Sequence, residues 1–207
     1  TMLVSRGGHF EAGGKRIGIQ SICLEEDAAR ILGGEGSSKR YGLERLGVPL
    51  VEIATEPFEV EPGEVRDVAQ ALGRMLRSTR MVRRGLGTIR QDVNVSVRGG
   101  GAVIEVKGVQ QLDQIGDVVR YEAARQVGLL EISAEIRRRK WAHDPGNEAD
   151  VTGTLSSCKS KIVQGAVKRG HAIRAVLFPG MAGMFGYSPS EGVRLGRDVA
   201  ELVRFFG

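Results

Sequence analysis

The 207-residue chain is 41% apolar, 27% charged and 5% aromatic, with a formal charge of +5, 30 glycines and two cysteines. That composition excludes a disordered chain, and no apolar run approaches the ~20 residues of a membrane-spanning helix. Cys23 and Cys158 make neither a disulfide framework nor a zinc knuckle, and no signal or transit segment opens the sequence, so a cytoplasmic protein without a membrane partner is expected.

Charge is unevenly spread. Residues 1–73 carry 8 basic and 12 acidic side chains, net −4, whereas residues 74–98 carry 7 and 1, net +6, and residues 149–207 carry 8 and 4, net +4. An acidic first third beside basic segments suits a site that handles anions next to a metal; it equally suits a solvated basic surface. Glycine is about twice its usual ~7% share and follows no repeat, so it marks turns and close backbone approaches.

In chain order, Ile17 to Leu24 reads as a buried strand running into Glu25-Glu26-Asp27, and residues 33–39 read as a loop. Val48 to Ala54 reads as a second strand, with Val51 and Ile53 on one face and Leu50, Glu52 and Ala54 on the other. A helix starts at Glu61-Pro62 and carries the stripe Val65, Val68, Leu72, Met75, Leu76 and Thr79. From Ile89 to Arg98 the residues alternate strictly, Gly99-Gly100-Gly101 turns, and Ala102 to Lys107 returns: a hairpin with one apolar and one ionic face. A helix over 112–130 and a short basic helix at 137–140 follow, and the turn formers of 143–147 mark a boundary between separate packing units. Beyond it a helix over 156–169, a strand over 171–178, a Gly-rich loop and a helix over 190–206 are predicted. Mixed strand and helix order with an antiparallel hairpin predicts an α+β fold.

Gly85-Leu86-Gly87 lacks the third glycine of a dinucleotide loop, and no glycine run precedes Cys158-Lys159-Ser160. His9, His143 and His171 read as structural or solvent-facing. The acids are more informative. Glu25 and Asp27 would do no more than compensate a helix dipole if a helix followed them. Glu52, between Leu50 and Ala54 on its face, has to be paired or metal-bound if buried. Hard acids converging from two strands suit Mg²⁺, and the hairpin offers Arg90, Arg98 and Lys107 for a phosphate, interleaved with Asp92, Asn94 and Glu105. A solvated ladder of cross-strand ion pairs would show the same pattern. Acids, cations and a basic flank together point to phosphoryl transfer.

Four segments, Ile22 to Ala29, Gly47 to Pro57, Thr88 to Ser96 and Val103 to Val109, resemble in order and spacing the catalytic core of the tRNA-dependent amidotransferase B/E subunits. With Glu122-x-x-x-Gln126 the resemblance covers about residues 1–140. Gly18 to Cys23 is similar to the archaeal E branch, the one acting on glutamyl-tRNA(Gln). Asp150-Val151-Thr152, Lys159-Ser160-Lys161, Phe178 to Gly183 and Arg194-Leu195-Gly196 resemble the start of the insertion domain that this branch shares with bacterial-type aspartyl-tRNA synthetases.

The resemblance implies a glutamine-synthetase-like cradle on an antiparallel sheet over 1–143 and part of the insertion domain over 149–207. It implies a carbon–nitrogen ligase that uses ATP and Mg²⁺ to phosphorylate the glutamate of Glu-tRNA(Gln), then amidates it with ammonia from an asparaginase-like D subunit. A heterotetramer of D and E subunits in the full-length protein follows. By motif position Glu26 and Glu52 are the metal-binding acids, with Glu25 a third. Arg90, Asp92, Asn94, Glu105 and Lys107 belong to the motifs that line the same cradle; their roles as catalytic residues, with Arg90 and Lys107 touching ATP, follow from their chemistry and not from the family. The family's Glu-x-His pair is expected before Thr1 and its helical tail after the insertion domain, so the chain reads as an internal portion of a longer subunit. A bacterial-type B subunit acting on Asp- or Glu-tRNA and a non-catalytic tRNA-binding module are the alternatives. The first lacks its Phe-Pro stretch here, and the second would need neither Glu52 nor the acids at Glu25.

Overall fold

The computed structural model describes residues 1–85, 87–100, 102–142 and 147–206. It is a mixed α+β structure with antiparallel sheets, and no helix among the described residues is long and apolar enough to cross a membrane. Two compact units emerge: Thr1–Asn94 with Glu105–Arg120, and Val95–Ile104 with Tyr121–Gly207.

In the first unit β1 (Met2–Arg6), β2 (His9–Ala12) and β3 (Lys15–Glu26) precede the hairpin β4 (Arg30–Glu35) and β5 (Ser38–Gly42). Strand β6 (Pro49–Thr55) and helix α1 (Glu64–Ser78) follow. β3 is the spine, antiparallel to β1, β2 and β6. Its Ile17 and Ile19 are buried with Phe10 and Ala12 of β2 and Val68 of α1, and Ile22, Ile53, Phe58, Ala71 and Leu72 pack onto that cluster. Val68 and Leu72 of the stripe read from the sequence, with Ala71, form the face by which α1 covers the sheet, whereas Met75 is exposed. The first turn of α1 is fixed by Glu64, which accepts the Glu61 N–H at 2.7 Å and pairs with Lys15 at 2.8 Å.

One irregularity sets the geometry of everything beyond. Ile19 pairs with Thr55 but Ser21 with Ala54, so β3 holds one residue more than β6 at this point. A bulge of this kind exchanges the two faces of the strand. Ile17 and Ile19 face the core before it, and Ile22 faces the core after it.

The loop expected over 33–39 is instead the β4–β5 hairpin, with Ile31 opposite Tyr41 and Glu35 opposite Ser38. Gly36, at φ 56°, gives the two-residue turn its left-handed corner, and a register shift between Ile31 and Gly33 absorbs the extra residue. Glycines that read as loop formers thus serve a turn and a bulge. The hairpin of β7 (Val93–Val95) and β8 (Ile104–Val106) is present but shorter than the alternation suggests. At its base the Gly108 N–H donates to the Asp92 carboxylate and the Val109 N–H to the Gln91 carbonyl.

Helix α2 (Leu112–Arg138) extends into the basic segment expected to be a separate helix and ends there, at Arg138. Glu135, hydrogen-bonded by both Arg138 and Arg139, secures its last turns. In the second unit β9 (Glu148–Asp150) pairs with β10 (Arg174–Val176), separated by α3 (Thr152–Leu155) and α4 (Lys161–Lys168), and α5 (Leu195–Phe206) follows. The single helix predicted over 156–169 is broken because Ser160 is extended and caps α4. The helix predicted from Ser190 begins only at Leu195.

The core of this unit joins Ile132 of α2 to Met181 and Met184, with Leu129, Ile136, Trp141, Phe178, Tyr187 and Leu195 around them. Residues before 140 and after 150 therefore share a core, contrary to the separate packing expected. The apolar stripe of late α2 has to be covered, and the 178–195 segment covers it. The segment 143–146, where the boundary was expected, lies outside the described residues.

Gly128 makes the contact close. A Cβ there would lie 2.4 Å from the Pro189 carbonyl oxygen and 2.5 Å from its Cα, both backbone atoms. Gly128→Ala gains about 1 kcal/mol of helix propensity but incurs overpacking of about 1–3 kcal/mol. Because the backbone at Pro189 has no flexible end to yield, overpacking wins, and chemical denaturation should show a net loss.

Glu135 is held down to about 2 from its ordinary 4.5 by the hydrogen bonds from Arg138 and Arg139. A depressed acid stabilises the fold above its unfolded value and loses that contribution as protons bind. Unfolding free energy should therefore fall between about pH 5 and pH 2. Glu135→Gln should flatten that slope, and added salt should shrink it because the pair is partly exposed.

Candidate active site

Pairing of β3 with β6 decides which acids stand together. Cys23 is opposite Glu52, Leu24 opposite Val51, Glu25 opposite Leu50 and Glu26 opposite Pro49. Residues directly opposite share a face, and neighbours along a strand alternate. Glu52 thus lies with Cys23, Glu25 and Leu50, away from the core that Ile22 and Ile53 face. The expectation that Glu52 points away from the apolar layer holds.

Glu26 lies on the other face, with Leu24 and Val51. The pairing of Glu26 with Glu52 around one ion, expected from the motifs, is therefore not made by this sheet. The physical reason is the bulge at residue 20, which reverses the phase of β3 but leaves that of β6 unbroken. Glu25, the third acid of the expected set, is the one that shares the face of Glu52, diagonally across the pair at about 7 Å between backbones. Its carboxylate accepts a hydrogen bond from the Thr1 hydroxyl. Among the described residues no three His, Cys, Asp or Glu side chains form a ready-made metal cage.

No helix follows Asp27, so dipole compensation does not explain it. The Asp27 N–H donates to the Val48 carbonyl at 2.8 Å, and its own carbonyl accepts the Gly47 N–H at 3.2 Å. These bonds tie the end of β3 to the start of β6. Its side chain is only 10% exposed and meets Arg90 Nη2 at 2.8 Å and Arg45 Nε at 3.8 Å. The Arg90 hydrogen bond is the main cause that holds the Asp27 carboxyl below the usual carboxylate range. Asp27 and Arg45 were not among the expected site residues. The signal available in sequence was only that an acid adjoined Glu25 and Glu26.

The other expected residues lie on or beside the hairpin. Lys107 Nζ meets Glu105 at 2.8 Å and Asp92 at 3.5 Å, and the Glu105 hydrogen bond is the main cause that raises the Lys107 pKa. Lys107 is thus a fixed cation at any physiological pH. Asn94 and Glu105 are exposed, whereas Val95 is buried, so the hairpin has the one polar and one apolar face read from the alternation. Arg90 is joined through Asp27 to the acidic end of β3, so the hairpin's first cation and the Glu25 strand belong to one bonded network.

Gln126, from the Glu122-x-x-x-Gln126 motif, is buried and donates to the Val95 carbonyl at 2.9 Å and to Glu122 at 2.8 Å. Its role is to hold a hairpin strand. Glu122 is bound in turn by Arg125, which lowers its pKa. His9 meets Arg16 at 3.2 Å, His171 follows α4 with its N–H on the Ala166 carbonyl, and His143 lies outside the described residues.

The first unit thus carries two carboxylates on one sheet face, an arginine paired with Asp27 and, on the hairpin, an exposed lysine paired with Glu105 and Asp92. Comparison with known proteins identifies the family. Residues 2–159 match the GatB/GatE catalytic domain. The chain is 45% identical over 204 residues to the E subunit of glutamyl-tRNA(Gln) amidotransferase from Pyrobaculum calidifontis, covering 99% of this chain and 33% of that protein. It is 46% identical over 208 residues to its counterpart from Archaeoglobus fulgidus, covering 100% of this chain and 33% of that one. For the counterpart from Methanocaldococcus jannaschii the identity is 46% over 205 residues, with 99% and 32% covered. The chain thus spans about a third of the length of the curated relatives it matches. With its sheet, its hairpin and its four motifs in one matched stretch, this chain belongs to the GatB/GatE family.

Proposed function

We propose that the chain forms the phosphorylating part of an archaeal-type E subunit, which converts Glu-tRNA(Gln) to Gln-tRNA(Gln) at the expense of ATP. The observation that carries this reading is the Glu25–Glu52 face of β3 and β6, joined through Asp27 to Arg90. The relatives' name supplies the substrate, and the matched domain the catalytic role. The β3-centred sheet is then the floor of a glutamine-synthetase-like cradle. Residues from 149 onward are the beginning of an insertion domain similar to that of bacterial-type aspartyl-tRNA synthetases.

A carboxylate is a poor electrophile, and phosphorylation gives it a leaving group. An oxygen of the glutamate γ-carboxylate bonds to the γ-phosphorus of ATP as the bond to the ADP oxygen breaks. Ammonia then bonds to the acyl carbon, loses a proton, and inorganic phosphate departs. Arg90 and Lys107 would hold the phosphoryl oxygens while charge spreads over them, and each already pairs with an acid. Asp92 and Glu105 position Lys107, and Asn94 adds a neutral donor on the same hairpin.

Two carboxylates on one face fit Mg²⁺, which takes one or two acids and completes its shell with water and phosphate oxygens. Glu25 and Glu52 would hold it, and the ion would neutralise phosphate charge. Ammonia would come from an asparaginase-like D subunit in a complex of D and E subunits. Exposed Arg74, Arg77, Arg80, Arg83 and Arg84, at and after the end of α1, suit the phosphates of the tRNA.

Glu52→Gln keeps the side-chain shape but removes the charge a hard cation needs. In the full-length subunit with its partner, it should lower tRNA-dependent ATP cleavage about 100-fold or more while tRNA affinity stays. Glu26→Gln, on the opposite face, should leave ATP cleavage close to wild type; equal losses in the two variants would overturn the assignment of the acids. Binding of tRNA should weaken with salt, log K falling by about 0.9 per duplex phosphate contacted against log[salt]. A flat dependence would return the arginines after α1 to an ordinary solvated surface.

A further inference from the structure

We propose that Asp27 is a positioning residue for Arg90, holding its guanidinium ready for a phosphoryl oxygen, with Arg45 as a second cation on the same carboxylate. The inference rests on the ATP-dependent reading above and adds a residue to it.

Asp27 is anchored on every side that matters. Its backbone is bonded to Gly47 and Val48, and Oδ1 accepts the Ala28 N–H at 3.0 Å. Oδ2 is left for the arginines. The carboxylate is 10% exposed, whereas Arg90 and Arg45 are 54% and 44% exposed. A nearly buried, immobile anion thus grips the inner side of guanidiniums whose outer sides meet solvent. One carboxylate against two guanidiniums leaves a net charge of +1, so the cluster still attracts an anion. A long, exposed arginine otherwise loses much rotamer freedom when it binds, and here that freedom is already restricted. The place is also specific. Asp27 lies two residues after Glu25, and Val48, its backbone partner, lies four before Glu52. The two strands that carry the face acids therefore fix the carboxylate that holds the arginine.

A carboxylate that only stapled the strands together would affect stability and leave turnover of the folded molecules alone. The test is a double-mutant cycle in the full-length subunit with its partner, reading tRNA-dependent ATP cleavage. Asp27→Asn and Arg90→Lys should each lower kcat about 10- to 100-fold with KM for the tRNA within about twofold. The double variant should be no worse than the poorer single one, because Asp27 acts through Arg90. Wild-type kcat in Asp27→Asn, or losses that multiply in the double variant, would overturn the proposal. If the amide variant does not fold, Asp27→Glu takes its place in the cycle; its longer carboxylate displaces the guanidinium, and a wild-type kcat or multiplying losses would again be decisive. No tRNA-dependent cleavage by the wild-type complex would sink the activity reading and this inference with it. An active wild type with a fully active Asp27 variant sinks only the inference.

Discussion

Gln20 is the extra residue that lets β3 and β6 stay paired while the faces of β3 change places, and the sorting of the acids in the first unit depends on that change. Before it, the odd-numbered Ile17 and Ile19 enter the core; after it, the even-numbered Ile22 does. β6 has no matching irregularity, so Val51 and Ile53 keep one face and Glu52 the other. The acids at the end of β3 are sorted as a result. Glu25 joins Glu52 and Cys23 on the face away from α1, and Glu26 is left on the side of Leu24 and Val51. Without the bulge the same pairing would put Glu26 on the face of Glu52, four residues along the ladder from it, and Glu25 on the opposite face. A single inserted residue in a ladder thus selects between two neighbouring glutamates, which no difference in their own chemistry could do.

The remaining charges are organised by local pairing. Asp27 holds Arg90, while Glu105 and Asp92 hold Lys107. Each cation is thereby fixed near an anion yet keeps an exposed side. Such pairs contribute little to stability where water screens them. Asp27 is the exception, because its carboxylate is nearly buried and its removal from water has to be offset by Arg90, Arg45 and the Ala28 N–H. The local energetics are better explained by orientation than by stability. A guanidinium or ammonium held in place needs no reorganisation when phosphate charge develops beside it.

Much of this was legible in the sequence, for identifiable reasons. The strands around Ile17 and Ile53 and the helix over Val68 show themselves by clean period-2 and period-3.6 patterns, because each presents one face to one core. The outward direction of Glu52 followed from β6 alone, whose alternation is unbroken. The phase of β3 at Glu25 and Glu26 was not legible, since a bulge leaves no signature in residue type when the extra residue is an ordinary polar one such as Gln20. The β4–β5 hairpin hid behind glycines that composition cannot assign to turn, bulge or loop. The second core was missed because its parts, Ile132 on α2 and Met181 and Met184 in a Gly-rich segment, lie about fifty residues apart in the chain. Asp27 was visible as an acid; its partners Arg45 and Arg90 are brought to it only by tertiary structure.

Two like charges on one sheet face are a local violation that folding alone would not select. Glu25 and Glu52 are diagonal neighbours, and the apolar residues nearest them in the ladder, Leu50 and Cys23, offer no countercharge. A sequence tuned only for stability would place opposite charges across such a pair. Here the opposite charges are held back by one step, on Arg90 and Arg45 through Asp27 at the strand ends. The face is left needing cations that the β3–β6 ladder itself does not supply, and violations of this kind mark functional sites. A metal with a nucleotide's phosphates would satisfy the acids and the arginines together, since the ion meets the first and the phosphate oxygens meet the second. On the proposed reading, the acids and the guanidiniums would be completed together by one ligand that carries both signs of charge.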